Sequence, residues 1–293
     1  MRVINILASS AVALVLAATP AAAANTTLTS LTESQAFPAI QSTIKYTKVS
    51  TTSANGQGNY ARATSTVRYD KATNSYILRD TGNISLTSTF DLDNADPSST
   101  AAFTVVKKGA DETLRIYNPG ATTQGIALTY TGYGQWRRTG APVYGPGTGV
   151  NDTYFVYGLK TPSASMPRSG TGTYTTALDG TYTAKTGVYA VTGTGTLTAN
   201  FSGTGSIAYS ATLAGAREGD SAALAGLGAL TGGVGTIQFG SSGFKSTTSA
   251  TGGGYSLGVM GNFYGPSANE VGGVFRLTGP SSGNGQGALV GKQ

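Results

Sequence analysis

Between residues 196 and 213 the side chains alternate with a period of two. Leu197, Ala199 and Phe201 stand against Thr196, Thr198 and Asn200, and Ile207, Tyr209, Ala211 and Leu213 stand against Ala208, Ser210 and Thr212. A helix cannot put such a set on one face, whereas a strand sends successive side chains to opposite sides. The stretch therefore reads as two strands, each with one apolar and one polar face. The rest of the chain makes similar residue choices: Thr, Gly, Ser, Tyr and Val dominate, while Leu, Glu and Lys are sparse. That composition disfavours long helices and suits many short strands. The expected fold class is all-β.

A chain of 293 residues is long enough for two β domains with separate cores. Only 12 of the 43 glycines precede residue 151. The run Tyr144-Gly-Pro-Gly-Thr-Gly149 reads as a joint, and residues 161–167 form a second turn-rich segment. The expected division is an N-terminal antiparallel β domain over 25–150 and a C-terminal β-barrel over 151–293. In the first, Ser65, Val67 and Tyr69 share a face, a turn occupies 70–75, and Tyr76 and Leu78 resume the pattern, which makes a hairpin. Phe103 and Val105, Leu114 and Ile116, and then Ile126, Leu128 and Tyr130 repeat it, for about six strands. In the second, short runs at 169–174 and 180–182 and residues 236–239, 255–259 and 287–292 add strands, which with the hairpin at 259–277 gives a total of about eight. That number closes a soluble antiparallel barrel filled by its own side chains. Residues 220–230 read as a helical turn or a loop, since Asp220 and Ser221 are good caps but the segment holds two glycines.

Residues 261–277, GNFYGPSANEVGGVFRL, read as a hairpin. An extended run to Tyr264 meets turn chemistry at 265–269, and Val271, Gly273, Phe275 and Leu277 then alternate onto one face. The stretch resembles the last hairpin of the transferrin-binding protein B-like β-barrel family, to which factor H binding protein and hemophilin belong. The family pattern is G-x-F-Y-G-P-x-A-x-E-x-G-G-x-F. Gly261, Phe263, Tyr264, Gly265, Pro266, Ala268, Glu270, Gly272, Gly273 and Phe275 match it. The resemblance covers roughly residues 154–293, implies a structural role for these positions, and makes the N-terminal domain handle-like by its place in the chain. It further implies a Gram-negative surface or extracellular protein that binds a host or environmental protein, or haem, and passes iron or haem to an outer-membrane receptor. Several such proteins cross the outer membrane through a Slam-type translocon.

Met1-Arg2, the apolar run 3–18, Pro20 and the small residues 21–24 read as a secretory signal peptide over 1–24, with Ala22 and Ala24 before the cleavage site. The run is shorter than the roughly 20 apolar residues of a membrane span. The chain contains no cysteine, which excludes a lipoprotein anchor, disulfides and thiolate chemistry. The expected location is extracellular, on the cell surface or periplasmic. Removal of Arg2 lowers the formal charge of +6 by one. With Lys107-Lys108 and Arg137-Arg138 as the only basic doublets, this is too thin for nucleic-acid binding.

The chain also has no histidine. Ser-His-Asp and Cys-His nucleophiles and the common zinc and copper sites are therefore excluded, and haem iron would need a Tyr, Met or Lys ligand. The only glutamates are Glu33, Glu112, Glu218 and Glu270, and Glu270 is expected to cap its own turn. Asp91, Asp93, Asn94 and Asp96 alternate acidic oxygens but lack the Gly and Glu of an EF-hand loop, so a solvated turn is expected. Gly193-Thr-Gly195 and Gly203-Thr-Gly205 precede no helix and fail as nucleotide loops.

One local cluster invites a binding role: Tyr133, Trp136, Arg137 and Arg138, followed by Tyr144. Trp, Tyr and Arg are enriched at interface hot spots. In an extended strand, Tyr130, Gly132, Gly134, Trp136 and Arg138 share a face, and the alternative account has Tyr130 and Trp136 covering the flat glycines as core. The expected function is non-enzymatic binding, with no cofactor and no metal. Its rivals are a carboxylate hydrolase, a structural or adhesive surface protein, and an integral outer-membrane barrel, which would carry a lipid-facing belt.

Overall fold

The computed structural model describes residues 24–55, 61–79, 86–142 and 144–293. The expected signal peptide lies outside the described residues except for Ala24. Two nine-stranded antiparallel sheets make up the chain, together with a two-stranded ribbon.

The first sheet comprises β1 (Gln35–Ser50), β2 (Ser53–Asn55), β3 (Ala61–Asp70), β4 (Ser75–Arg79), β5 (Thr87–Asp91), β6 (Phe103–Lys108), β7 (Glu112–Tyr117), β10 (Thr131–Gly140) and β11 (Thr148–Gly158). The ribbon is β8 (Thr122–Thr123) with β9 (Ile126–Ala127). The strand order is β5-β4-β3-β1-β11-β10-β7-β6, with β2 beside β1. Taken as a ring, this is a meander in which the first strand pairs with the last and the seam lies between β5 and β6. The expected hairpin is β3–β4, with Val67 opposite Leu78 and Tyr69 opposite Tyr76.

The second sheet comprises β12 (Thr171–Ala184), β13 (Gly187–Asn200), β14 (Ser206–Arg217), β15 (Ala229–Gln238), β16 (Gly243–Thr248), β17 (Ala250–Gly252), β18 (Tyr255–Tyr264), β19 (Glu270–Thr278) and β20 (Asn284–Lys292). Its order is β14-β13-β12-β20-β19-β18-β16-β15-β17, and the additional β14–β15 pairing shuts the ring. β16 and β17 are two pieces of one strand interrupted at Ser249, so this is an eight-stranded up-and-down barrel. The all-β expectation, with a barrel of eight strands in the C-terminal part, holds.

The barrel interior is filled by the alternating residues of the sequence pattern: Leu197, Ala199, Ile207, Tyr209, Ala211 and Leu213 join Leu257, Phe263, Val271, Phe275 and Leu277 in one cluster. On the outer face of β13, Thr192, Thr194, Thr196 and Asn200 are exposed. That inside-apolar arrangement is the inverse of a lipid-facing barrel.

Three expectations are corrected. Strand β11 belongs to the first sheet, pairing with β1 and β10, so the units divide within 159–170 rather than at 150/151. The N-terminal unit has eight principal strands rather than about six. On β6 the buried residue is Val106, while Phe103 and Val105 are half-buried. The segment 220–230 is loop that enters β15.

The two units pack face to face. Ile40, Tyr133, Tyr154 and Val156 of the first meet Ala177, Tyr264, Val274, Ala288 and Val290 on the outside of the barrel. Strands β1, β10 and β11 are thus covered on both faces, the inner one by a core that includes Phe37, Leu114, Trp136, Phe155 and Tyr157.

Candidate binding surface and the junction between the units

Strand β10 carries most of the cluster expected to bind a ligand, and its alternation is as expected. Trp136 points into the first core at 1% exposure, its indole N–H donating to Glu112 Oε1 at 3.2 Å. Tyr133 points the other way, also at 1% exposure, stacked on Tyr117 with ring centroids 5.3 Å apart. Both rings are therefore core, and the reading of Trp136 and Tyr133 as surface contacts is corrected. The glycines on the Trp136 face are covered, but not by Tyr130 or Trp136. A Cβ on Gly132 would lie 2.6 Å from the Tyr157 ring, and one on Gly134 would lie 2.7 Å from Phe155. These rings stand directly opposite on β11, a cross-strand form of aromatic-over-glycine packing.

Arg137 and Arg138 leave opposite faces of β10. The Arg138 guanidinium lies over the Trp136 ring, 4.4 Å from its centroid. Arg137 enters the junction and grips Asp152 with two hydrogen bonds, Nε to Oδ1 at 2.6 Å and Nη2 to Oδ2 at 2.7 Å. The same guanidinium reaches Glu218 of the barrel at 2.8 Å, and Glu218 also meets Lys48 at 3.2 Å. Asp152 is fully buried and accepts further hydrogen bonds from Tyr46 and Thr181, each at 3.1 Å. Burial disfavours the Arg137 cation, but Asp152, Tyr46 and Glu218 together outweigh it, so its pKa lies above the ordinary arginine value. Burial, then Asp152, raises that of Tyr46. A further cross-unit pair joins Arg115 to Asp179 at 2.5 Å. Arg137 therefore holds the two units together.

The family-like hairpin is the other half of the junction. Glu270 is fully buried, and instead of capping its own turn it accepts backbone N–H hydrogen bonds from Thr129, Tyr130 and Thr131 at 2.7, 2.9 and 2.9 Å. A Cβ on Gly272 would lie 2.7 Å from Thr131 Cγ2 and from Val156 Cγ1, so the close docking of β10 and β11 needs glycine there. Gly265 adopts φ +84° in the turn, where a side chain would meet the Tyr130 ring. Gly261 and Gly273 face each other across β18 and β19, and Phe263 and Phe275 fill the barrel. Tyr264 faces the first unit, and Pro266 borders a cavity of about 430 Å³ beside Tyr130 and Lys160.

Within the expected cluster, Tyr144 alone is exposed, at 39%, on the β10–β11 loop, with its N–H donating to Thr47 Oγ1 at 2.8 Å. Val49, 41% exposed, lies two residues beyond Thr47 on β1. The antiparallel registers sort the described loops into two poles. The near pole gathers Asn25, the connector 159–170, the 265–269 turn and Gln293, whose N–H donates to Asn269 O at 3.2 Å. The far pole gathers Val49, the Tyr144 loop, the β12–β13 turn and the β14–β15 loop, with the Lys48–Glu218 pair linking the units there. At the far mouth of the barrel, Tyr182, Tyr189 and Tyr255 line a cavity of about 420 Å³.

The Asp91 carboxylate accepts from Asp93 N–H at 2.9 Å and from the Asn94 amide at 2.7 Å, which makes that acidic stretch a self-capped turn.

No protein-family model matches the chain. No curated protein matches it either. Among solved structures, a single mutant of transferrin-binding protein B from Haemophilus parasuis Hp5 is 17% identical over 82% of this chain and 46% of its own, with a TM-score of 0.46. A double mutant of the same protein gives 16%, 82%, 46% and 0.44. Intact Ap-TbpB, with N and C lobes, gives 16%, 82%, 48% and 0.41. The chain spans under half the length of each.

Proposed function

We propose that this chain is a surface-exposed binding protein of a Gram-negative cell, without catalytic activity, that captures a host or environmental protein as a source of iron for an outer-membrane receptor. The observation that carries this reading is the separation of the poles. The connector lies at one pole, and the exposed Tyr144, on the β10–β11 loop, and Val49, at the end of β1, sit at the other. A rigid scaffold that presents exposed side chains at one pole is suited to recognition. The hairpin at 261–277 adds the family likeness from which the iron-carrying class of partner and passage through a Slam-type translocon are drawn, while export rests on the signal peptide read at residues 1–24. The absence of His and Cys removes the commonest catalytic nucleophiles and bases.

Surface plasmon resonance of immobilised mature protein against iron-loaded transferrin tests the reading. Binding is expected, and replacing both Tyr144 and Val49 with alanine should weaken it about tenfold or more, as loss of a hot spot does. Absence of binding, or binding indifferent to the double substitution, would count against it.

A further inference from the structure

Lys160 sits on the connector in a backbone that is tightly held. Gly265 N–H donates to Leu159 O at 2.8 Å, and Thr161 N–H donates to Phe263 O at 3.0 Å. Thr161 Oγ1 donates to Gly265 O at 2.7 Å, and Ser242 Oγ donates to Thr161 O at 2.5 Å. The neighbouring polar groups are thus satisfied and the lysine Cα is fixed. The ammonium itself is half-buried and makes no ion pair and no hydrogen bond among the described residues. Burial alone pulls its pKa below the ordinary lysine value, with no neighbouring charge offsetting it. A desolvated cation without an anion is costly unless something supplies one.

Lys160 borders a cleft of about 260 Å³ between the two units. Pro38 and Ile40 from β1 and Met260 from the barrel form apolar walls, and Thr64, Ser65 and Asn262 supply neutral polar groups. No Asp or Glu lines this cleft or the cavity on the other side of Lys160. Small-ligand sites elsewhere combine apolar walls with a few convergent polar groups, in volumes that begin just above that of this cleft. A single cation among neutral donors suits a singly charged head group, whereas a phosphate dianion calls for a second positive charge.

We propose that the inter-unit cleft is a binding site for a small organic monocarboxylate, with Lys160 pairing the carboxylate and Pro38, Ile40 and Met260 receiving a short apolar tail. The site lies at the near pole, away from Tyr144 and Val49, and stands apart from the capture of a protein partner.

Isothermal titration calorimetry of the mature protein with hexanoate tests it, with 1-hexanol as the uncharged probe. Hexanoate should bind and 1-hexanol should bind at least about tenfold more weakly, the difference one charge-assisted hydrogen bond makes. Lys160→Met should weaken hexanoate binding by a similar factor, and Lys160→Arg should keep most of it. Met260→Trp, which leaves the lysine in place and fills the cleft, should abolish it, and thermal melts of each variant establish that it is folded. Absence of hexanoate binding, equal affinity for the two probes, or unchanged affinity in folded Lys160→Met or Met260→Trp would each overturn the proposal.

Discussion

Glu270 satisfies three amide protons with two oxygens in a site closed to water. A glutamine of the same shape would turn an NH₂ group toward those donors, and hydrogen bonds to a charged group are the stronger kind. Glu270→Gln is therefore expected to destabilise the protein by about 2–4 kcal/mol, measured by urea unfolding against wild type. The residue itself stood out in the sequence because the hairpin around it is distinctive. Its partners did not, because Thr129–Thr131 lie about 140 positions upstream and contribute only backbone, which leaves no mark on side-chain identity. The reverse held for Arg137: a doublet beside a tryptophan looks like a surface patch until Asp152 and Glu218 are brought to it by folding.

At the scale of strands, legibility follows the number of buried faces. β13 and β14 bury one face and show clean alternation. β1 runs for 16 residues with both faces covered over much of its length, and its polar members are satisfied across the junction, as Ser42 is by Gln286 at 2.7 Å. Such a strand has no period-two contrast and passes unnoticed in the sequence. The seam of the first unit shows how an unpaired edge is kept from joining another molecule. Asp96 N–H donates to Val105 O at 2.7 Å, and Val105 N–H donates to Ser99 Oγ at 2.9 Å, so the loop before β6 occupies the groups that would template a further strand. Deleting residues 97–101 should expose that edge and produce dimers or larger species on size-exclusion chromatography, while the intact chain elutes without them.

Across the whole molecule, tyrosine does much of the packing: of the chain's 16, 13 are buried among the described residues, spread over both cores and the junction. Burial pushes the Tyr76 phenol up to about 12 from an ordinary 10.0. Burial likewise raises Tyr157, Tyr174 and Tyr264. Because the folded state keeps these protons longer than the unfolded chain, their stabilisation is complete below pH 10 and fades as pH climbs toward 12, by about 3 kcal/mol for Tyr76 alone. With Glu270 and the Arg137–Asp152–Glu218 network tying the units together, alkaline unfolding should be a single step. Absorbance at 295 nm and circular dichroism should change together above pH 10, and two separate transitions would show that the units melt independently.

The alignment of both units along one axis also sets a length. β12 alone runs for 14 residues, about 45 Å of extended chain, or roughly 35 Å of height once the tilt of a barrel strand is allowed for. The two poles therefore stand several Debye lengths apart, each about 8 Å in physiological salt. Charges at one pole are screened out well before the other, so a change of charge on the connector should leave the electrostatics around the Tyr144 loop unaltered.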